Sequence, residues 1–104
     1  MAQDIRGPWR PHPANPVLVD ARAARPAGFM ERRGGALLRP AQDCRAGYGA
    51  GLSICRVDRL DPEGYAQTVL ATLRPMGARD TGAHTVNVGG GCEVIDHCGP
   101  VRRV

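Results

Sequence analysis

The stretch Leu52-Ser53-Ile54-Cys55-Arg56-Val57-Asp58-Arg59-Leu60 decides the fold class. Ser53, Cys55 and Val57 fall on one side of an extended chain and Leu52, Ile54 and Arg56 on the other, the two-residue period of a β-strand. Upstream, Gly47-Tyr48-Gly49-Ala50-Gly51 reads as a flexible turn. Residues 36–40 read as a strand that returns from residues 27–31 through a Gly34-Gly35 hairpin turn. The apolar run Val17-Leu18-Val19, ended by Asp20, reads as a further brief strand. Downstream, residues 75–82 form a loop and residues 84–88 alternate again. Gly89-Gly90-Gly91 then turns the chain and residues 92–96 complete a second hairpin. Turn signals every 8–12 residues or so mark a sandwich, barrel or propeller.

Residues 61–74 carry conflicting signals. Asp61-Pro62-Glu63 is a good helix start, a capping Asp with Pro at the first helical position. Tyr65, Val69, Leu70 and Leu73 would share a helical face. Against this, Gly64 falls in the first turn, Thr68, Val69 and Thr72 are β-branched, and Val69, Ala71 and Leu73 also alternate. Taken locally, the pattern favours a helix slightly.

Composition sets the scale. A chain of 104 residues makes one small domain, which buries only about two-thirds of its unfolded surface. Trp9, Phe29, Tyr48 and Tyr65 are its only aromatics, so large core anchors are scarce. Fourteen glycines and nine prolines exceed the roughly 12% of average proteins, which favours short strands and turns over a helical bundle. Residues 1–16 are a Pro-rich irregular lead-in, with Trp9 expected to pack back onto the body and His12 expected in solvent. Residues 17–98 form the β domain and residues 99–104 a short basic tail. The polar N-terminus lacks a signal-peptide core, and no run approaches the ~20 apolar residues of a membrane span. The expected location is therefore cytoplasmic.

All fourteen basic residues are arginine and the net charge is +4. Guanidinium forks suit phosphate or nucleic acid. These arginines are scattered, however, with only Arg32-Arg33 and Arg102-Arg103 adjacent, which argues against a nucleic-acid surface. Cys44, Cys55, Cys92 and Cys98 are even in number but lack a secretory context. Cys92, His97 and Cys98 lack a C-x-x-C pair, so no metal or other cofactor is expected and the thiols read as free and partly buried.

At Arg39-Pro40-Ala41-Gln42-Asp43-Cys44, followed by Tyr48-Gly49, the chain resembles a known family. His12-Pro13-x-Asn15-Pro16-Val17, Ala24-Arg25-Pro26-Ala27-Gly28 and Gly82-x-His84-Thr85-x-Asn87 follow the same order. The resemblance is to the N-terminal-type domain of glucosamine inositolphosphorylceramide transferases and their bacterial relatives, and it runs from about Trp9 to Asp96. That domain looks like the five-bladed β-propeller of certain glycoside hydrolases. The resemblance implies an all-β fold of antiparallel four-stranded blades, here an incomplete propeller of about two blades from the C-terminal part of the domain. A full ring needs on the order of 250 residues at ~40–50 per blade. It also implies that residues 61–74 form a blade's outer strand rather than a helix. The family's separate catalytic glycosyltransferase domain has no counterpart here. Gln67 stands where relatives often carry an acid.

The candidate ligand-binding residues are Arg39, Gln42, Asp43, Tyr48 and His84. Carboxylate, amide and guanidinium groups suit sugar hydroxyls and phosphate, and Tyr48 offers a stacking face. The structural alternatives are an Arg39–Asp43 ion pair with Gln42 satisfying loop backbone, a salt bridge at Arg25, and a His84 that bridges neighbouring blades. Asp96 reads as a cap on the turn before Gly99. Glycoside hydrolysis usually needs two carboxylates, and Asp43 would need partners from elsewhere, so catalysis by this chain alone is not expected. Expected partners are a carbohydrate or nucleotide sugar, the remaining propeller blades, or a second copy joined through open strand edges.

Overall fold

The computed structural model describes residues 1–75 and 81–101. Residues 76–80 of the expected loop and residues 102–104 of the basic tail lie outside the described residues. All regular structure described is strand: β1 (Glu31–Arg33), β2 (Ala36–Gln42), β3 (Leu52–Asp61), β4 (Gly64–Leu73), β5 (Gly82–Gly89) and β6 (Cys92–Cys98). β1 to β4 form an antiparallel sheet in sequence order, and β5 and β6 form a separate two-stranded antiparallel sheet. Among the described residues, neither sheet closes into a barrel and no helix is long and apolar enough to cross a membrane.

Paired glycines make two of the hairpins. Gly34 and Gly35 join β1 to β2 with φ of 56° and 81°, and Gly90 and Gly91 join β5 to β6 with φ of 58° and 76°. Positive φ at both central residues matches the twist of the flanking strands. The third hairpin resolves the conflict at residues 61–74 in favour of strand. Asp61 pairs with Gly64 across the turn, and its Oδ1 accepts both the Glu63 and Gly64 amides at 2.9 Å. The Asp61-Pro62 signal is real, but it caps a hairpin instead of a helix; the β-branched Thr68, Val69 and Thr72 then continue as β4. The β3–β4 register shifts between Ile54 and Cys55 and between Val57 and Arg59, leaving Leu70 and Asp58 as extra residues of β-bulges.

Both faces of the four-stranded sheet are covered. Cross-strand register places Arg39, Cys55 and Val69 on one face, where Ala23 packs against Ala41, Cys55 and Val69. On the other face Leu52 and Ile54 meet Ala27, Ala83 and Val86. β5 is thereby half buried, whereas every residue of β6 is exposed. The core is built from small side chains; Leu52 is its largest fully buried apolar residue. A radius of gyration of 15.8 Å exceeds the ~13 Å of a compact domain of this length.

Residues 25–29 splice the two sheets together. Gln42 donates its amide to the Arg25 carbonyl at 2.8 Å and Ala27 donates to Pro40 at 3.1 Å. At Ala27 itself the chain changes partner. Val86 of β5 donates to the Ala27 carbonyl at 2.8 Å, and the Phe29 amide donates to Asn87 Oδ1 at 3.1 Å. Gly28, at φ of 153°, passes so close to β5 that a Cβ there would lie 2.0 Å from the Val86 oxygen. Only glycine permits this approach.

Four sequence expectations need correction. Residues 17–19 are not a strand, because Asp20 turns the chain at once by accepting the Ala23 and Ala24 amides on its carbonyl. The strand expected at 27–31 begins only at Glu31, since residues 27–30 leave β2 to meet β5. Trp9 is 65% exposed instead of packed. His12 is half-buried, with Nε2 3.0 Å from the Asp61 carbonyl, so it ties the lead-in to the β3–β4 turn.

Candidate functional site

The five candidate residues separate into two groups. Arg39 and Gln42 lie on β2 and Asp43 directly follows it; Arg39 and Gln42, an odd number of residues apart, face opposite sides of the sheet and serve different neighbours. Arg39 crosses to the segment before β1, donating Nη1 to the Ala23 carbonyl at 2.8 Å and Nη2 to the Ala24 carbonyl at 2.7 Å. Gln67 Oε1 accepts from Arg39 Nη1 at 3.2 Å and from the Tyr65 hydroxyl at 2.5 Å. Burial pushes the Tyr65 hydroxyl up, as it does the Cys55 thiol beside it. Gln42 is buried, and its Oε1 accepts from the Cys44 thiol at 3.8 Å.

Asp43 is fully buried, and its partner is not Arg39. Arg45 grips it bidentately, Nε to Oδ1 at 2.9 Å and Nη2 to Oδ2 at 2.8 Å, while Arg74 approaches Oδ2 at 3.4 Å. The Arg45 hydrogen bond outweighs burial and holds the carboxyl down from its ordinary 3.8 to about 2. Arg45 thus closes the start of the β2–β3 loop on itself, and Arg74 ties it to the end of β4. Arg45 was legible as a partner. Arg-x-Asp or Asp-x-Arg spacing recurs as an ion pair at Asp4–Arg6, Arg56–Asp58 and Arg59–Asp61. Arg74 lies too far along the chain for any such signal.

Tyr48 and His84 do come together. Their rings meet edge to face, with centroids 4.6 Å apart and planes at 89°. The Arg25 guanidinium stands 4.7 Å from the Tyr48 ring centroid, so Arg25 makes a cation–π contact where a salt bridge was expected. The loop bearing Tyr48 is held against β5 by the Ala83 amide, which donates to the Gly49 carbonyl at 2.8 Å. Gly82 allows this, because a Cβ there would lie 2.5 Å from the same oxygen.

Asp96 sits opposite the irregular turn of β5 and does not cap the chain before Gly99. Its Oδ1 accepts the His84 amide at 2.9 Å and the Thr85 amide at 2.5 Å, and Oδ2 lies 3.7 Å from His84 Nδ1. Burial raises its pKa, but the two amides outweigh that and hold the carboxyl below its ordinary value. A register shift between Ala83 and Val86 frees these amides from the ladder. Asp96 satisfies them and aims His84 at Tyr48. The result is a cleft of about 240 Å³ lined by Tyr48, Gly49, His84, Asp96, His97 and Cys98 among others. The chain is similar to a stretch of a glucosamine inositolphosphorylceramide transferase. Glucosamine inositolphosphorylceramide transferase 1 of Oryza sativa subsp. indica, and that of subsp. japonica, are each 33% identical to it over 63 residues, 59% of the chain. The chain spans 8% of the length of these curated relatives. No family model and no solved structure matches.

The four cysteines are free, Cys55 buried and Cys44 half-buried. Cys92 and Cys98 are exposed, against the expectation of partial burial, because they occupy the two ends of the uncovered strand β6.

Proposed function

We propose that the chain is a two-sheet section of a carbohydrate-associated β-propeller domain that serves glycan or glycolipid synthesis, and that it binds a sugar or sugar phosphate without transforming it. The observation that carries this reading is the 63-residue likeness to the two rice transferases. Two antiparallel sheets stacked face to face through small residues, with open strand edges, are compatible with neighbouring blades. Tyr48 supplies a face for a pyranose, His84 a hydrogen-bonding ring nitrogen and Arg25 a cation for phosphate. Asp43 does not suit acid catalysis: it is buried between two guanidinium groups and stays ionised. Asp96 is committed to two backbone amides. A glycoside-cleaving pair would need other carboxylates.

The test is an NMR titration with glucosamine, inositol phosphate and a uridine diphosphate sugar. Shifts confined to the amides of residues 48–49 and 82–85, weakened about tenfold in Tyr48→Ala, support the reading. Absence of any shift at millimolar ligand rejects the binding role.

A further inference from the structure

Arg39 is only 8% exposed, and it is a buried cation that the chain does not neutralise. Among the described residues it enters no ion pair; Asp43 is taken by Arg45 and Arg74. Its hydrogen-bond partners are neutral: the Ala23 and Ala24 carbonyls and the Gln67 amide oxygen. Tyr65 and Cys55 beside it also stay uncharged, because burial pushes both groups up. A charge taken out of water without a counter-ion is costly, and neutral acceptors offset only part of that cost.

The same bonds leave one edge of the guanidinium open. Of its five N–H groups, two go from Nη1 to Ala23 and Gln67 and one from Nη2 to Ala24. Two successive carbonyls thus occupy the far end of the group. The Nε–H and the second Nη2–H lie side by side, and no described residue accepts from them. That is the edge with which Arg45 grips Asp43 and Arg59 grips Asp61, Nε and Nη2 to the two carboxylate oxygens. Arg39 also lines a cleft of about 220 Å³ with Tyr65, Ala24, Asn15, Val17 and Leu18. The lead-in wall of this cleft is tied down on either side. His12 Nε2 lies 3.0 Å from the Asp61 carbonyl, and the Asp20 carbonyl accepts the Ala23 and Ala24 amides.

We propose that this cleft binds a small carboxylate, its two oxygens seated on the open Nε–Nη2 edge of Arg39. One cation balances one negative charge, and the fork matches the spacing of a carboxylate. A dianionic phosphate would bring a second charge that Val17, Leu18 and the neutral Tyr65 cannot meet. Val17 and Leu18 cover the carbon body of the ligand, and Asn15 supplies a side-chain amide for a further polar group. This cleft shares no lining residue with the one between Tyr48 and His84, so the assignment does not rest on the carbohydrate reading.

NMR titration with acetate at constant ionic strength, read at the Arg39 Nε–H, tests it. That proton should move downfield and saturate, together with the amides of Asn15, Val17, Leu18, Ala24 and Tyr65, while residues 48–49 and 82–85 stay still. Arg39→Lys keeps the charge but not the fork and should weaken binding about tenfold or more. Val17→Trp fills the cleft without touching the bonds of Arg39; it should abolish the response with an unchanged circular-dichroism spectrum. Absence of a saturable shift at tens of millimolar acetate refutes the site, as does an equal response to chloride. Dianionic phosphate bound as tightly as acetate, or a folded Val17→Trp variant that still binds, also overturns the proposal.

Discussion

Replacing Gly28 with alanine tests the splice that holds the two sheets together. The new methyl would sit 2.0 Å from the Val86 carbonyl oxygen, so the segment must retreat from β5 by about 1 Å to reach even the tightest tolerated contact. Retreat stretches the Val86-to-Ala27 hydrogen bond and the Phe29-to-Asn87 bond beyond it. Val86 and Ala27 are buried, so water does not replace the first bond. Loss of that buried bond costs about 1–3 kcal/mol and loss of the exposed Phe29 bond about 0.5–1.5 kcal/mol, and forcing a Cβ to keep the φ of 153° adds about 1–3 kcal/mol. The sum, about 3–5 kcal/mol or more, is a large share of the ~5–15 kcal/mol that holds a typical domain folded. At ~2.1 cal/mol/K per residue the melting temperature falls by about 15 °C or more. Gly35→Ala is the control. Gly35 also has positive φ, 81°, but nothing lies within 4 Å of its absent Cβ, so it should lose only about 1 kcal/mol. Urea unfolding followed by circular dichroism compares the two variants, and hydrogen exchange at the Val86 amide localises the damage. If Gly28→Ala loses no more than Gly35→Ala, the close approach to β5 is not what joins the sheets.

Asp43 gives the acid limb of stability. Its folded pKa of about 2 lies below the ordinary 3.8, so its stabilisation is complete above about pH 4 and disappears as pH falls through about 2. Urea midpoints measured from pH 5 downward should drop over this window, and Asp43→Asn should be about 2 kcal/mol less stable at neutral pH with a flatter acid limb. Equal slopes for the two proteins would show that the Arg45–Arg74 clamp does not matter. Ser53 offers the opposite sign: it is fully buried and its hydroxyl has no hydrogen-bond partner. Ser53→Ala should raise stability by up to about 1 kcal/mol, read as a higher urea midpoint with unchanged slope; a clear loss would mean the hydroxyl is satisfied.

What the sequence reveals here is what local geometry controls. The alternation at Leu52 to Leu60 and the paired glycines define strands and turns within a few residues of themselves, and both stand in the structure. Asp61-Pro62 is legible as a cap but not as a cap for which element, since an Asp side chain accepts adjacent amides equally well in a hairpin turn and at a helix start. The departure of residues 27–30 from β2 has no local signature beyond Gly28, because its cause is Val86, far along the chain. Tyr48 and His84 are readable as ligand-type residues, yet their contact follows from Gly49 bonding Ala83. Asp43 is readable as a carboxylate in a polar cluster, but its burial depends on Arg74 arriving from the end of β4.

The splice also constrains the order of events during synthesis. Arg25 and Ala27 complete their bonds to β2 as soon as that hairpin has left the ribosome, whereas Phe29 must wait for Asn87, 58 residues later. Until β5 emerges, the Ala27 carbonyl has no acceptor role and the Leu52–Ile54 surface has no cover. The nascent four-stranded sheet, complete at Leu73, therefore stays a sticky half-structure until β5 (Gly82–Gly89) follows it, the interval in which a chaperone would have most to protect.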